Sequence, residues 1–145
     1  MHYAVPDRNG HRFGWMSPQY LDAVERTDHQ IGRILRLIRR RDALREHLAV
    51  ILTSDHGGNG LHHTDTTDVR NFRVPFMVWR PGVLRGANLH WLDRDYTNPR
   101  DRQPPYGGSQ PVRNGMVANL ALDLLDLRRV PGSTLNAKYD LDVSR

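Results

Sequence analysis

The stretch Val50-Ile51-Leu52-Thr53-Ser54-Asp55-His56-Gly57-Gly58-Asn59-Gly60-Leu61-His62-His63 decides the fold. It continues an apolar run that starts at Leu48, and Leu48 to Leu52 is the pattern of a strand buried on both faces. Within two residues the chain changes to acid, imidazole and paired glycine. A buried strand ending in Asp55-His56 carries two metal-binding or acid–base groups to its carboxyl end. That end is where open α/β sheets bind ligands. Gly57 and Gly58 are expected to turn the chain through backbone angles closed to other residues, so that Asp55 and His56 face one site. His62 and His63 follow closely enough for one of them to return to it.

Upstream, Ser17-Pro18 reads as a helix start, with serine as N-cap and proline in the first turn. Leu21, Val24, Ile31, Leu35 and Ile38 continue at three- and four-residue steps, which predicts a helix from about Pro18 to about Arg40. Asp28 falls on that stripe and reads as a buried carboxylate satisfied by backbone or arginine. Arg39, Arg40 and Arg41 sit where cations oppose the negative end of the helix dipole. Asp42 to His47 reads as a connector of one helical turn. At the start, His2 to Val5 reads as a short strand and Pro6 to His11 as the loop at its end. Asp7 and His11 are four apart, a spacing that brings carboxylate and imidazole to one face in a helical turn or a tight loop. Alone, that pair is an ordinary polar loop.

Downstream, Thr64 to Arg73 is polar and aperiodic, hence loop. Val74 to Trp79 is the next strand, closed by Pro81-Gly82, and Pro75 places its first half outside the ladder. Gly86 to Gly108 is too long for a plain connection. It reads as a flap or as an excursion with a small hairpin, anchored by Trp91 and Tyr96. Asn114 reads as the cap of a helix from about Gly115 to about Leu127, with Val117, Leu120, Leu122, Leu124 and Leu125 on its apolar face. Val130 to Arg145 carries turn signals and little else.

The length, 145 residues, suits one domain with a core of its own. Mean hydropathy is −0.66, and no apolar run approaches the roughly 18 residues of a membrane helix. No signal-peptide pattern opens the sequence. With no cysteine, disulfides and thiolate metal sites are excluded, but cytosol and periplasm are not distinguished. The net charge is +5, and every basic residue except Lys138 is arginine. That suits a solvated surface or attraction to small anions such as phosphates. No nucleic-acid-binding motif accompanies the charge. The oligomeric state is not legible.

Several motifs occur in series. They are Pro6-Asp7-x-x-Gly10-His11-x-x-Gly14, the helix carrying Tyr20, Asp28 and Ile31-Gly32, and Thr53-Ser54-Asp55-His56-Gly57. Val74-Pro75-Phe76 with Pro81-Gly82-Val83, and Val112-Arg113-Asn114 before an Ala-Leu-rich helix, follow them. Together, from about Tyr3 to Ser133, they resemble the C-terminal half of the alkaline phosphatase superfamily, near its nucleotide pyrophosphatase/phosphodiesterase-like and sulfatase-like branches. The resemblance implies a partial doubly wound α/β sheet with flanking helices, residues 1–145 being the C-terminal part of a single catalytic domain whose N-terminal half is absent. It implies two divalent metal ions, zinc by the donor types. One is held by Asp7, His11 and a later histidine, for which His63 is chosen over His62. The other is held by Asp55, His56 and an upstream aspartate. The Ser/Thr nucleophile is likewise expected upstream of residue 1. The implied activity is hydrolysis of a small anionic phosphoester. Sulfate-ester hydrolysis, or a non-catalytic chain binding at most one metal, are the alternatives. Imidazole donors favour the two-metal phosphoesterase, because calcium sulfatases use mainly oxygen. Arg73 and Arg80 flank the nearby strand and are expected at the surface.

Overall fold

A computed structural model describes residues 1–102, 104, 107–135 and 141–143. The chain divides into two compact units: Met1–Leu48 with His56–Val74, and Ala49–Asp55 with Pro75–Arg145.

The first unit begins with helix α1, Val5–Phe13. The expected strand at His2–Val5 and loop at Pro6–His11 are therefore replaced by one helix. Its reason is legible afterwards. Pro6 lies in the first turn, where its missing N–H is no loss. Asp7 lies near the positive end of the helix dipole, and His11 and Arg12 near the negative end. Gly14, at φ 94°, ends the helix and donates its N–H to the Gly10 carbonyl at 2.9 Å. Helix α2 spans Pro18–Arg40, as its stripe and caps predict, and Ser17 Oγ accepts the Tyr20 N–H at 3.2 Å. Its covered face is narrower than the stripe: Ala23 and Ile38 are buried, whereas Leu21, Val24 and Leu37 are exposed. Asp28 is exposed as well, which corrects its reading as a buried carboxylate. The helix is uncovered on that side along this stretch, so the carboxylate stays in water. Helix α3, Asp42–His47, is the expected single-turn connector.

The second unit holds the only sheet among the described residues. Strand β1, Val50–Thr53, pairs antiparallel with β2, Phe76–Trp79, in the register Val50↔Trp79 to Thr53↔Phe76. A doubly wound parallel sheet does not form among the described residues. Nor is β1 buried on both faces, since all four of its residues are half-buried. Pro75 does lie outside the ladder, and its carbonyl accepts the Thr53 hydroxyl at 2.8 Å.

A core of Tyr96, Met116, Leu120, Leu141 and Val143 packs against Ile51, Phe76 and Val78. Two of those residues come from the tail, which thus contributes more than turns. Asp93 Oδ1 accepts the Asp142 N–H at 2.6 Å beside them. The long excursion forms helix α4, Leu89–Leu92, capped by Asn88, and no hairpin among its described residues. Tyr96 anchors it, while Trp91 is 77% exposed and anchors nothing.

The expected helix at 115–127 is shorter. A 3-10 turn, Asn114–Met116, leads into α5, Val117–Asp123, and Asp126 at φ 55° breaks any continuation. Leu125 and Leu127 lie exposed beyond it. Asn114 is not the cap. Its amide donates to the carbonyls of Ser54 (3.0 Å) and Asp55 (2.8 Å) and so ties down the end of β1. Among the described residues no helix is long and apolar enough to cross a membrane.

Candidate metal centre

Within the first unit the structure brings together Asp7, His11, His56 and His63. Helix α1 supplies the first two. Their spacing of four puts them on one helical face, with Asp7 Oδ1 3.5 Å from His11 Nε2. The segment after β1 supplies His56, whose Nε2 lies 3.8 Å from the same oxygen. The ring of His63 stacks on that of His56, with centroids 3.7 Å apart and planes 13° apart, and lies 5.2 Å from that of His11. His62 is exposed and joins the loop through backbone bonds with Asn59. Asp55 belongs to the second unit, where its carboxylate accepts from the Ser54 hydroxyl at 3.4 Å. Arg73 and Arg80 are exposed.

The hydrogen bonds fix the tautomers. His11 Nδ1 faces the Leu61 carbonyl at 3.0 Å, and His56 Nδ1 faces the Gly57 carbonyl at 2.8 Å. A carbonyl oxygen only accepts, so each Nδ1 carries the hydrogen. In the neutral ring each Nε2 then presents a lone pair toward Asp7 Oδ1. That oxygen is buried and accepts no hydrogen bond. In that form electron-rich atoms face one another, an arrangement that a proton on either ring or a cation between them would relieve. A tetrahedral zinc with bonds of about 2.0–2.2 Å sets its donor atoms roughly 3.4 Å apart, close to the two nitrogen–oxygen distances. Backbone carbonyls on the far ring nitrogens are the usual outer support of metal-binding histidines. Each of these two donor pairs therefore stands near the separation that a divalent ion would span. Among the described residues, however, no three such side chains are together placed to hold one. Stacked rings send their in-plane lone pairs side by side rather than to a common point, so His56 or His63 must rotate for both to bind.

The glycines act by absence of bulk. Neither Gly57 nor Gly58 has a positive φ among the angles found, which corrects the expectation of unusual turn angles. A Cβ on Gly57 would lie 2.0 Å from the Arg70 carbonyl oxygen, and one on Gly58 would lie 2.2 Å from the Trp15 ring. Gly57 N–H donates to the Asn71 carbonyl at 2.9 Å. The loop carrying His63 is closed in turn by Asp68, whose carboxylate takes the Arg70 guanidinium, the Arg70 N–H and the Asn59 amide. Those bonds, the guanidinium first, hold the Asp68 carboxyl down at about 2.

Trp15, Asp68 and Asn71 escaped the sequence reading. Asp68-x-Arg70 in an aperiodic loop carries a weak capping signal. Paired glycines signal that something large comes close, but not what.

The sequence matches the family described as type I phosphodiesterase / nucleotide pyrophosphatase across residues 1–102. The chain belongs to that family. It is 37% identical over 57 residues to ectonucleotide pyrophosphatase/phosphodiesterase family member 7 of Homo sapiens; these are 39% of this chain and 12% of that protein's length. No solved structure matches.

Proposed function

We propose that this chain supplies metal ligands to a divalent-metal-dependent phosphoester hydrolase of the phosphodiesterase/pyrophosphatase type, within an alkaline phosphatase-like α/β domain. The observation that carries the reading is the approach of two imidazole Nε2 atoms to one buried, unbonded carboxylate oxygen, at 3.5 and 3.8 Å. Asp7, His11 and His63 would hold one ion; Asp55 and His56 would serve a second. All-nitrogen-and-oxygen donors suit zinc. When bound, a pair of such ions stabilises the attacking and leaving oxygens of an in-line displacement at phosphorus. The chain's own part is to keep the Nδ1 hydrogens on backbone carbonyls, so that Nε2 is the basic atom, and to bring carboxylate charge beside it. A small anionic phosphoester is the expected substrate. The family match supports it over a sulfate ester.

The test is hydrolysis of an aryl phosphate diester, an aryl phosphate monoester and an aryl sulfate by the zinc-loaded full-length gene product. Cleavage of a phosphate ester, abolished by chelator and reduced at least ~100-fold in His11→Ala, is expected. Preference for the sulfate, or turnover that survives chelation, would overturn the reading. The 145-residue chain carries the ligands but no assigned nucleophile. It is expected to bind zinc with negligible turnover. Metal-dependent turnover by it that vanishes in His11→Ala would place a nucleophile within the chain.

A further inference from the structure

We propose that Trp15 is a positioning residue, whose indole holds the His11 imidazole in the orientation it presents to Asp7 and packs beside the His56–His63 pair. The inference rests on the metal-centre reading above. The indole meets His11 edge-on, with centroids 4.9 Å apart and planes 82° apart. It lies 6.0 Å from His63 and 6.4 Å from His56. Among the described residues it is the one ring in contact with all three. Edge-to-face contacts between aromatic rings are directional, so they set ring angle as well as position.

The surrounding backbone is built around this ring. Trp15 N–H donates to the Gly60 carbonyl at 2.8 Å, tying the end of α1 to the loop that carries His63. A Cβ on Gly10 would lie 2.7 Å from the ring, and one on Gly58 would lie 2.2 Å from it. Both positions are open only because they are glycine. The next residue, Met16, takes a left-handed φ of 68°, although its side chain is 71% exposed and gains nothing there. Non-glycine residues avoid that region.

Zinc affinity of the 145-residue chain is measured by calorimetry for Trp15→Ala, Trp15→Phe, Gly58→Ala and the double variant Trp15→Ala/Gly58→Ala. Groups that orient metal-binding histidines typically carry ~10–100-fold in affinity. Trp15→Ala is expected to lose at least ~10-fold and Trp15→Phe to retain most of the affinity. Gly58→Ala should match Trp15→Ala, because its new methyl displaces the same ring. The double variant should lose no more than either alone. Wild-type affinity in Trp15→Ala, or additive losses in the double variant, would overturn the proposal.

If the wild-type chain binds no zinc, the metal-centre reading fails on its own and the ring resonances decide. In the histidine side-chain NMR spectrum, Trp15→Ala should move the His11, His56 and His63 signals and leave those of His29 and His47 in place. Unmoved signals would overturn the positioning role.

Discussion

The two units of this chain are held together in different ways. The second has a dry centre: Leu120 is 1% exposed, Leu141 2% and Val143 3%, and they pack with Met116 and Tyr96 behind a half-buried strand. The first buries little apolar bulk beyond Ala23 and Ile38. It is held instead by close approaches and polar ties. Gly57 meets the Arg70 carbonyl, Trp15 lies over Gly10 and Gly58, and Asp68 gathers Asn59 and Arg70. All the candidate ligands except Asp55 lie in the first unit. A region with few buried apolar contacts opens at low cost. A ligand bound there would add directly to its stability. The proposed ligands, Asp55 apart, thus lie on the unit with the smaller apolar core.

Substitutions in each unit should break this contrast differently. The largest effect is expected from Leu120→Ala, which removes the most buried side chain among the described residues. It should cost ~2–5 kcal/mol, as other core Leu-to-Ala changes do. Amide hydrogen exchange should speed up across α5 and the β1–β2 pair and stay unchanged across α2. Equal acceleration in α2 would mean that the units unfold together.

Gly57→Ala should come next, at ~1–3 kcal/mol of overpacking, because its methyl meets a backbone carbonyl that cannot rotate away. Exchange should speed up at the Gly57 and Asn71 region of the first unit and not at β1. Asn114→Ala removes two amide donations to the carbonyls after β1. It should cost ~1–2 kcal/mol, with faster exchange confined to the second unit.

The smallest effect is a pH dependence in the second unit. Burial holds the His90 imidazole below its ordinary value of 6.5, and its Nε2 accepts the Val112 N–H at 3.3 Å. The unfolded chain therefore takes up the proton first. Stability from this group is complete above about 6.5 and falls as pH drops below it. The Val112 amide should exchange faster at pH 5.5 than at 7.5 after correction for intrinsic rates, and His90→Gln should flatten the difference.

What could be read from the sequence was what local chemistry decides. Ser17-Pro18 and the arginine run delimit α2 because caps and the helix dipole act within one turn. Pro75 marks the start of the β2 ladder because a missing N–H acts where it stands. The Asp-His pairs stand out because few structures need those donors at those spacings. What escaped reading depends on partners distant in sequence. Val50 to Leu52 reads as a strand, but nothing within it says that its neighbour, which begins at Phe76, runs antiparallel. Leu141 and Val143 are two apolar residues in a turn-rich tail, and only the fold buries them. Gly57 and Gly58 were legible as necessary glycines. Their reason, a carbonyl and an indole from elsewhere in the chain, was not. Asp7-x-x-x-His11 left helix and loop open, and Pro6 with Asp7 in a first turn decides for the helix.

The most direct test of the central claim, that the first unit carries a divalent-metal site, is a calorimetric zinc titration of the 145-residue chain beside His11→Ala and His62→Ala. Close to one ion bound by the wild type, a loss of ~10-fold or more in His11→Ala, and no change in His62→Ala are expected. Equal binding by wild type and His11→Ala, or a loss confined to His62→Ala, would contradict that claim.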